Sequence, residues 1–199
     1  HYSNFDGYNR DHMSATVIEL FKGHDSVNEL NAGDEGVVIL EHTPFYAESG
    51  GQAGDTGFLS SEGVHLEVTD TTKASDHHLH HIKVLLGSVK VGDTLDTAVD
   101  STLRQATKLN HSSTHLLHAA LRKVLGEHVS QKGSLVDSQR LRFDFSHPEA
   151  VTAEQLKVIE KMVNVHIRGN AEVVTRVTDM ASAVEAGAMA LFGEKYGDE

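Results

Sequence analysis

The apolar residues of this chain keep two different periods, and the change falls near residue 100. Before it, short runs are β-branched or alternate: "GVVIL" at 36–40, "VHLEV" at 64–68, "HIKVLL" at 81–86 and "DTLDTAVD" at 93–100. Period two sends successive side chains to opposite faces of a strand, so Leu95, Thr97 and Val99 share one face. Glycine-containing turns, "NAGDEG", "SSEGV" and "VKVGD", separate the runs. Many short strands joined by polar turns predict a small antiparallel barrel or sandwich.

After the change, Leu116, Leu117, Ala120, Leu121 and Val124 recur at helical spacing. "LRFDF" (141–145) returns to period two, with Leu141, Phe143 and Phe145 on one side. Arg142 and Asp144 face the other way, as ligand contacts or as a surface ion pair. After Pro148, Thr152 and Gln155 are spaced as a capping box that opens a helix. Its inward face is read as Leu156, Ile159, Val163 and Ile167. "EVVTRV" (172–177) is expected to be a strand, and Asp179 to cap a short last helix ending near Gly187. The expected fold class is α+β, a small N-terminal antiparallel β-barrel followed by an α/β core with helices packed on an antiparallel sheet. Residues 1–13 are read as a flexible tail, 14–100 as the barrel and 101–199 as the second subdomain.

Charge narrows the functions open to such a chain. Seventeen Lys and Arg against 29 Asp and Glu give a net charge of −12. Bulk electrostatic adhesion to nucleic acid needs a basic face, so a nucleic-acid substrate would be gripped locally or by another part of the polypeptide. No run approaches the roughly 18 apolar residues of a membrane helix. The polar "HYSNFDGYNRD" lacks the apolar core of a secretory leader. With no cysteine in the chain, disulfides are excluded, and a cytoplasmic protein without membrane contact is expected.

"LNHSSTHLLHAAL" (109–121) sets His111, His115 and His118 within an arc of about 60° on a helix, on roughly the opposite side from its apolar stripe. The three therefore lie off the core face, and either meet solvent or line a cleft. H-x₃-H is the spacing by which one helix offers two imidazoles to one Zn²⁺. A zinc-protease helix needs Glu directly after the first His; Ser112 stands there, which excludes that chemistry. "HHLHH" (77–81) follows a polar stretch and is read as a solvated turn tip.

"TPFYAESGGQAGDTG" (43–57) concentrates four glycines beside Tyr46, Glu48, Ser49 and Gln52. It is no P-loop, lacking the Lys-Ser/Thr pair, and no dinucleotide fingerprint, since Ser49 occupies the first glycine position. A tight barrel corner is one reading. Polar groups on a permissive backbone, where a small polar ligand is recognised, is the other.

These two stretches, with "HVSQKGSLV" (128–136), "LRFDFSH" (141–147) and "GAMALFGEKYGDE" (187–199), resemble the editing domain of the alanyl-tRNA synthetases and its free-standing relatives. The likeness runs from about residue 14 to the end. "GAMALFGEKY" favours the synthetases over a small stand-alone deacylase, and the texture is bacterial. The resemblance implies hydrolysis of tRNA(Ala) mischarged with serine or glycine. A pocket built for alanine rejects neither well, and a second, hydrolytic sieve supplies the discrimination.

It also implies a zinc ion held by His111 and His115 with a C-x₃-H pair further on, expected beyond Glu199. The zinc site of this chain would then be incomplete. Zinc would anchor the substrate or polarise water for attack on the ester carbonyl. His118 is a substitute third ligand, though from one turn along the same helix it closes a tetrahedron poorly. Gln131 would place the substrate or the water, unless it is a loop residue capping a strand. Thr114 would sense the serine hydroxyl, unless it bonds back to the preceding turn. Glu48, Ser49, Gly50, Gly51 and Gln52 would line the same pocket. The implied partners are the charged acceptor end of tRNA(Ala) and the remaining synthetase domains. The rival reading is a catalytically silent module kept for substrate binding or structure.

Overall fold

A computed structural model describes residues 4–7 and 12–169 of the chain. Its strands begin with β1 (Asn4–Phe5), β2 (His12–Lys22), β3 (Asp25–Val27), β4 (Glu29–Asn31), β5 (Glu35–Leu40) and β6 (His42–Thr43). After the glycine-rich stretch come β7 (Gly57–Ser61), β8 (Val64–Ala74), β9 (His77–Leu86), β10 (Ser88–Lys90) and β11 (Thr94–Val99). Helix α1 (Ser101–Leu125), strands β12 (Gln131–Val136) and β13 (Leu141–Phe145), and helix α2 (Ala153–Arg168) complete the described chain. Two compact units result. One holds the described residues up to Lys108 together with Asp137–Gln139; the other holds Leu109–Val136 and the described residues from Arg140 onward.

In the first unit six antiparallel strands close on themselves in the order β2-β5-β9-β8-β7-β11 and back to β2. Closure is possible because each of the six strands turns one face inward, filled mainly by apolar side chains. Leu20, Val38, Leu40, Leu59, Leu66, Val68, Val84 and Leu95 lie in the interior at 0–1% exposure. Strict alternation breaks where the register shifts, between Val17 and Glu19 on β2 and between Val68 and Asp70 on β8. Each bulge inserts one residue, so the next inward side chains are Leu20 and Thr71 rather than Glu19 and Asp70.

Two expectations change here. "HHLHH" is no turn tip but the start of β9, and the turn lies before it at Ser75–Asp76. His78 and His80 take inward positions of the period-two pattern that continues through Ile82 and Val84. His80, fully buried, satisfies both ring nitrogens: Nδ1 on the Val38 carbonyl at 2.8 Å and Nε2 on the Thr43 hydroxyl at 2.6 Å. A satisfied neutral imidazole replaces an apolar side chain at modest cost. Within the opening segment read as a tail, Asn4–Phe5 pair in parallel with His42–Thr43, and β2 begins at His12. Phe5 supplies the anchor, its ring stacking on His78 at 5.4 Å.

The second unit buries Ala120 and Leu121 of α1 against Val129 and Ile159, with Phe143 and Phe145 of β13 beside them. The fold class is thus α+β, a closed barrel followed by helices on an antiparallel hairpin. The capping box forms as expected: Gln155 N–H donates to the Thr152 hydroxyl at 3.1 Å, and Thr152 N–H donates to Gln155 Oε1 at 2.9 Å. Of the inward face read for α2, Ile159 and Val163 pack in this cluster. Leu156 and Ile167 do not, at 53% and 48% exposure. Ile159, Met162 and Val163 form a narrower stripe than the four residues read. Arg142 and Asp144 form the exposed ion pair of the two readings, at 3.1 Å. The strand expected at 172–177 and the helix capped by Asp179 lie outside the described residues.

Candidate functional site

Helix α1 starts on Asp100, whose carboxylate accepts from Leu103 N–H at 3.0 Å. Three turns on, the i, i+4 spacing brings His111 and His115 together, their Nε2 atoms 3.0 Å apart and their rings edge-on at 4.8 Å. At that separation both nitrogens converge on one point, which a proton or another electrophile can occupy. Burial, and then the neighbouring His115, push the His111 imidazole below its ordinary pKa, favouring the neutral form that ligates or accepts. Its Nδ1 is buried with no hydrogen-bond partner among the described residues.

Thr114 sits between the two histidines, 8% exposed, and its hydroxyl donates to the Asn110 carbonyl at 2.9 Å. That is the back-bonded geometry, and the same oxygen retains capacity to accept. Gln131 opens β12 opposite Phe145, half-buried, at a register irregularity between Gln131 and Gly133. His118 takes the second alternative read for the stripe, lining a cleft rather than meeting solvent. Phe143 packs on that side of α1, so the His118 ring is only 6% exposed and lies 5.0 Å from the Phe143 ring.

The glycine-rich stretch belongs to the first unit. Ser49 and Gln52 exchange backbone hydrogen bonds at 3.2 and 2.9 Å around Gly50 and Gly51, both in the left-handed region at φ 55° and 82°. Positive φ at both central positions is the requirement of a type I′ turn, which explains the pair of glycines. Glu48 N–H donates to the Thr71 carbonyl at 2.8 Å, while the side chains of Glu48 and Ser49 stand exposed at the tip.

At the end of this stretch lies a pair that the sequence did not advertise. Arg104, from the first turn of α1, donates through Nε to Asp55 Oδ2 at 2.9 Å and through Nη1 to the Gly7 carbonyl at 2.8 Å. Its Nη2 reaches both Asp55 and the Pro44 carbonyl. Asp55 Oδ2 also accepts from Tyr46 N–H at 2.8 Å. One guanidinium thus ties together both ends of the glycine-rich stretch. The only signals in the sequence were a lone Asp within "AGDTG" and a lone Arg early in a helix.

The profile of the family "tRNA synthetases class II (A)" matches residues 1–103, which is more than half of the chain. The chain belongs to the class II (A) tRNA synthetases. Curated relatives extend the likeness over both units. Alanine–tRNA ligase of Pseudomonas syringae pv. syringae is 61% identical over 196 residues, 98% of this chain and 22% of that protein. Alanine–tRNA ligase of Saccharophagus degradans is 59% identical over 198 residues, 100% of this chain and 23% of that protein. The chain therefore spans less than a quarter of the length of the relatives it matches.

For this synthetase chain the implied zinc can be tested against the donors present. Two imidazoles on one tetrahedral Zn²⁺ at about 2.0–2.1 Å place their nitrogens roughly 3.3 Å apart, close to the 3.0 Å found. His111 and His115 therefore fit as two donors. No group of three or more His, Cys, Asp or Glu suited to a metal occurs among the described residues. His118 is turned onto Phe143 and does not make the third. The described residues fit half a zinc shell and do not complete it. In the synthetase chain no helix among the described residues is long and apolar enough to cross a membrane.

Proposed function

We propose that this chain is the proofreading part of an alanine–tRNA ligase, hydrolysing the ester of serine or glycine mischarged onto tRNA(Ala). The observation that carries the reading is the convergent His111–His115 pair at 3.0 Å, set in the motif whose family resemblance implies that activity. The two relatives named above, both alanine–tRNA ligases, support the same direction.

In this reading water attacks the aminoacyl carbonyl and the 3′ oxygen of the terminal adenosine leaves. Zinc is the cofactor, supplying electrophilic anchoring or polarisation, with His111 and His115 as two donors and the implied C-x₃-H pair as the others. Thr114 accepts from the hydroxyl of a seryl group, which glycine lacks. Gln131 positions the ester or the water. Glu48, Ser49, Gly50, Gly51 and Gln52 hold the amino acid, the exposed Glu48 carboxylate suiting its ammonium group. The partners are the acceptor end of tRNA(Ala) and the other synthetase domains.

The rival reading, a silent binding or structural module, is favoured by the two-donor shell among the described residues. Hydrolysis of Ser-tRNA(Ala) separates the two. It would be measured for this chain and for a version of the polypeptide extended through the next C-x₃-H, with zinc quantified in both. Deacylation with stoichiometric zinc in the extended form is the expected result. If both forms fold and neither cleaves, the deacylase reading is wrong.

A further inference from the structure

The histidine row on α1 does not end at His118. Positions 111, 115, 118 and 122 follow at steps of four, three and four, so Arg122 continues the same face of the helix. Beside the far half of this row the second unit opens a cleft of about 480 Å³ lined by His115, His118, Ala119, Arg122, Lys123 and Glu127. Two permanent cations and two imidazoles there face one carboxylate, in a chain whose net charge is −12. Arg122 and Lys123 occupy the last turn of α1, where the negative end of the helix dipole holds the two cations in place and offsets part of their charge.

Structural duties account for only part of this. Arg122 Nη1 donates to the Val129 carbonyl at 3.2 Å, which leaves most of its guanidinium donors for other acceptors. Lys123 is exposed. His118 keeps Nε2 buried without a hydrogen-bond partner among the described residues. Buried donors or acceptors left in that state are uncommon and call for an explanation.

We propose that this cleft binds a backbone phosphate of an RNA strand whose 3′ end lies at the His111–His115 pair. The inference rests on the deacylase reading above and adds the direction in which the strand leaves the site. From the middle of the histidine pair to Arg122 is about 13 Å along the helix, the scale of a terminal dinucleotide. A diester oxygen takes Lys123 as a point charge and the unused face of Arg122 as a fork. The local grip answers how so acidic a chain holds a polyanion.

The test is anisotropy of a short single-stranded oligoribonucleotide with a free 3′ hydroxyl, titrated with the chain at several salt concentrations. Lys123→Gln and the double variant Arg122→Gln/Lys123→Gln are compared with the parent, with circular dichroism confirming the fold. Lys123→Gln guards against the loss of the Arg122–Val129 bond. The double variant should bind about tenfold more weakly, and the slope of log affinity against log salt should flatten by about 0.7 per lost phosphate contact. Replacing the last internucleotide phosphates by uncharged methylphosphonates should weaken the parent equally and leave the double variant unaffected. Binding by the parent that ignores these substitutions, no measurable binding even at low salt, or full competition by inorganic phosphate at constant ionic strength overturns the inference. Ser-tRNA(Ala) hydrolysis by the extended polypeptide distinguishes the two levels. Coupling of Lys123 to the phosphates without hydrolysis leaves the phosphate site standing and removes the deacylase reading. Hydrolysis with an unchanged KM in the double variant does the reverse.

Discussion

Arg104 Nε lies 2.9 Å from Asp55 Oδ2, joining the first turn of α1 to the end of the glycine-rich stretch in a pair whose side chains are only 11% and 8% exposed. The planar guanidinium also spans two backbone carbonyls, of Gly7 and Pro44. Removing one partner leaves the other buried and unpaired, which generally costs about 3–5 kcal/mol. Asp55→Asn and Arg104→Met should each lower unfolding stability in urea by roughly that amount. Arg104→Lys should rescue little, because an ammonium cannot reproduce the fork. A loss below about 1 kcal/mol for both would show that the pair is not structural.

The barrel should weaken in acid through His80. Complete burial outweighs its bond to Val38 and pushes its pKa down to about 4, against 6.5 for an unfolded imidazole. The unfolded chain takes up this proton first as pH falls. Stability from neutral His80 is therefore full above about pH 6.5 and is lost as pH falls through about 4, a total of about 3 kcal/mol. His78, shifted down chiefly by burial, contributes with the same sign. Urea midpoints of the parent and His80→Gln between pH 7 and 4 test this; parallel curves would rule out His80 as the acid-sensitive group.

Two glycines a few residues apart should respond differently to alanine. A Cβ on Gly54 would stand 2.0 Å from the Thr71 carbonyl oxygen, while a Cβ on Gly50 meets nothing within 4 Å. Gly50→Ala should cost about 1–2 kcal/mol from its left-handed backbone alone. Gly54→Ala must move β8 or the loop and should cost about 2–3 kcal/mol or more. Thermal unfolding of the two variants gives the ranking, and the opposite order would contradict the close approach.

Thr114 offers a specificity test within the proposed reaction. Thr114→Val keeps the shape and removes the oxygen, which otherwise bonds to Asn110 at 2.9 Å. In the extended, zinc-loaded polypeptide it should slow Ser-tRNA(Ala) hydrolysis about tenfold, the scale of one hydrogen bond, and leave Gly-tRNA(Ala) almost unchanged. Equal effects on both substrates would reduce Thr114 to a structural role.

Periodicity made most of the barrel legible, because alternating burial is what a closed sheet with a mainly apolar interior demands. Leu95, Thr97 and Val99 point inward together as read. The same rule, applied without the assumption that histidine means surface, would have carried the strand read at 81–86 back to the true start of β9. His78 and His80 continue its alternation, and only the polar label hid them. On α1, spacing alone brought His111 and His115 within reach, since i, i+4 neighbours need no tertiary information. The placement of His118 against Phe143 and the Arg104–Asp55 tie could not be read that way. They join residues 25 and 49 positions apart, and nothing local records such a pairing.

The seam of the barrel has a consequence for synthesis. Thr97 of β11 exchanges hydrogen bonds with Met13 of β2, 84 positions away, and β11 also holds β7. A contact that distant is slow to form, since loop closure must precede any reward. In a growing polypeptide the His12–Thr16 half of one β2 edge, which β3 does not cover, stays unpaired until β11 has emerged. Until then that edge is open to strands of neighbouring nascent chains, and joining β11 to β2 removes it.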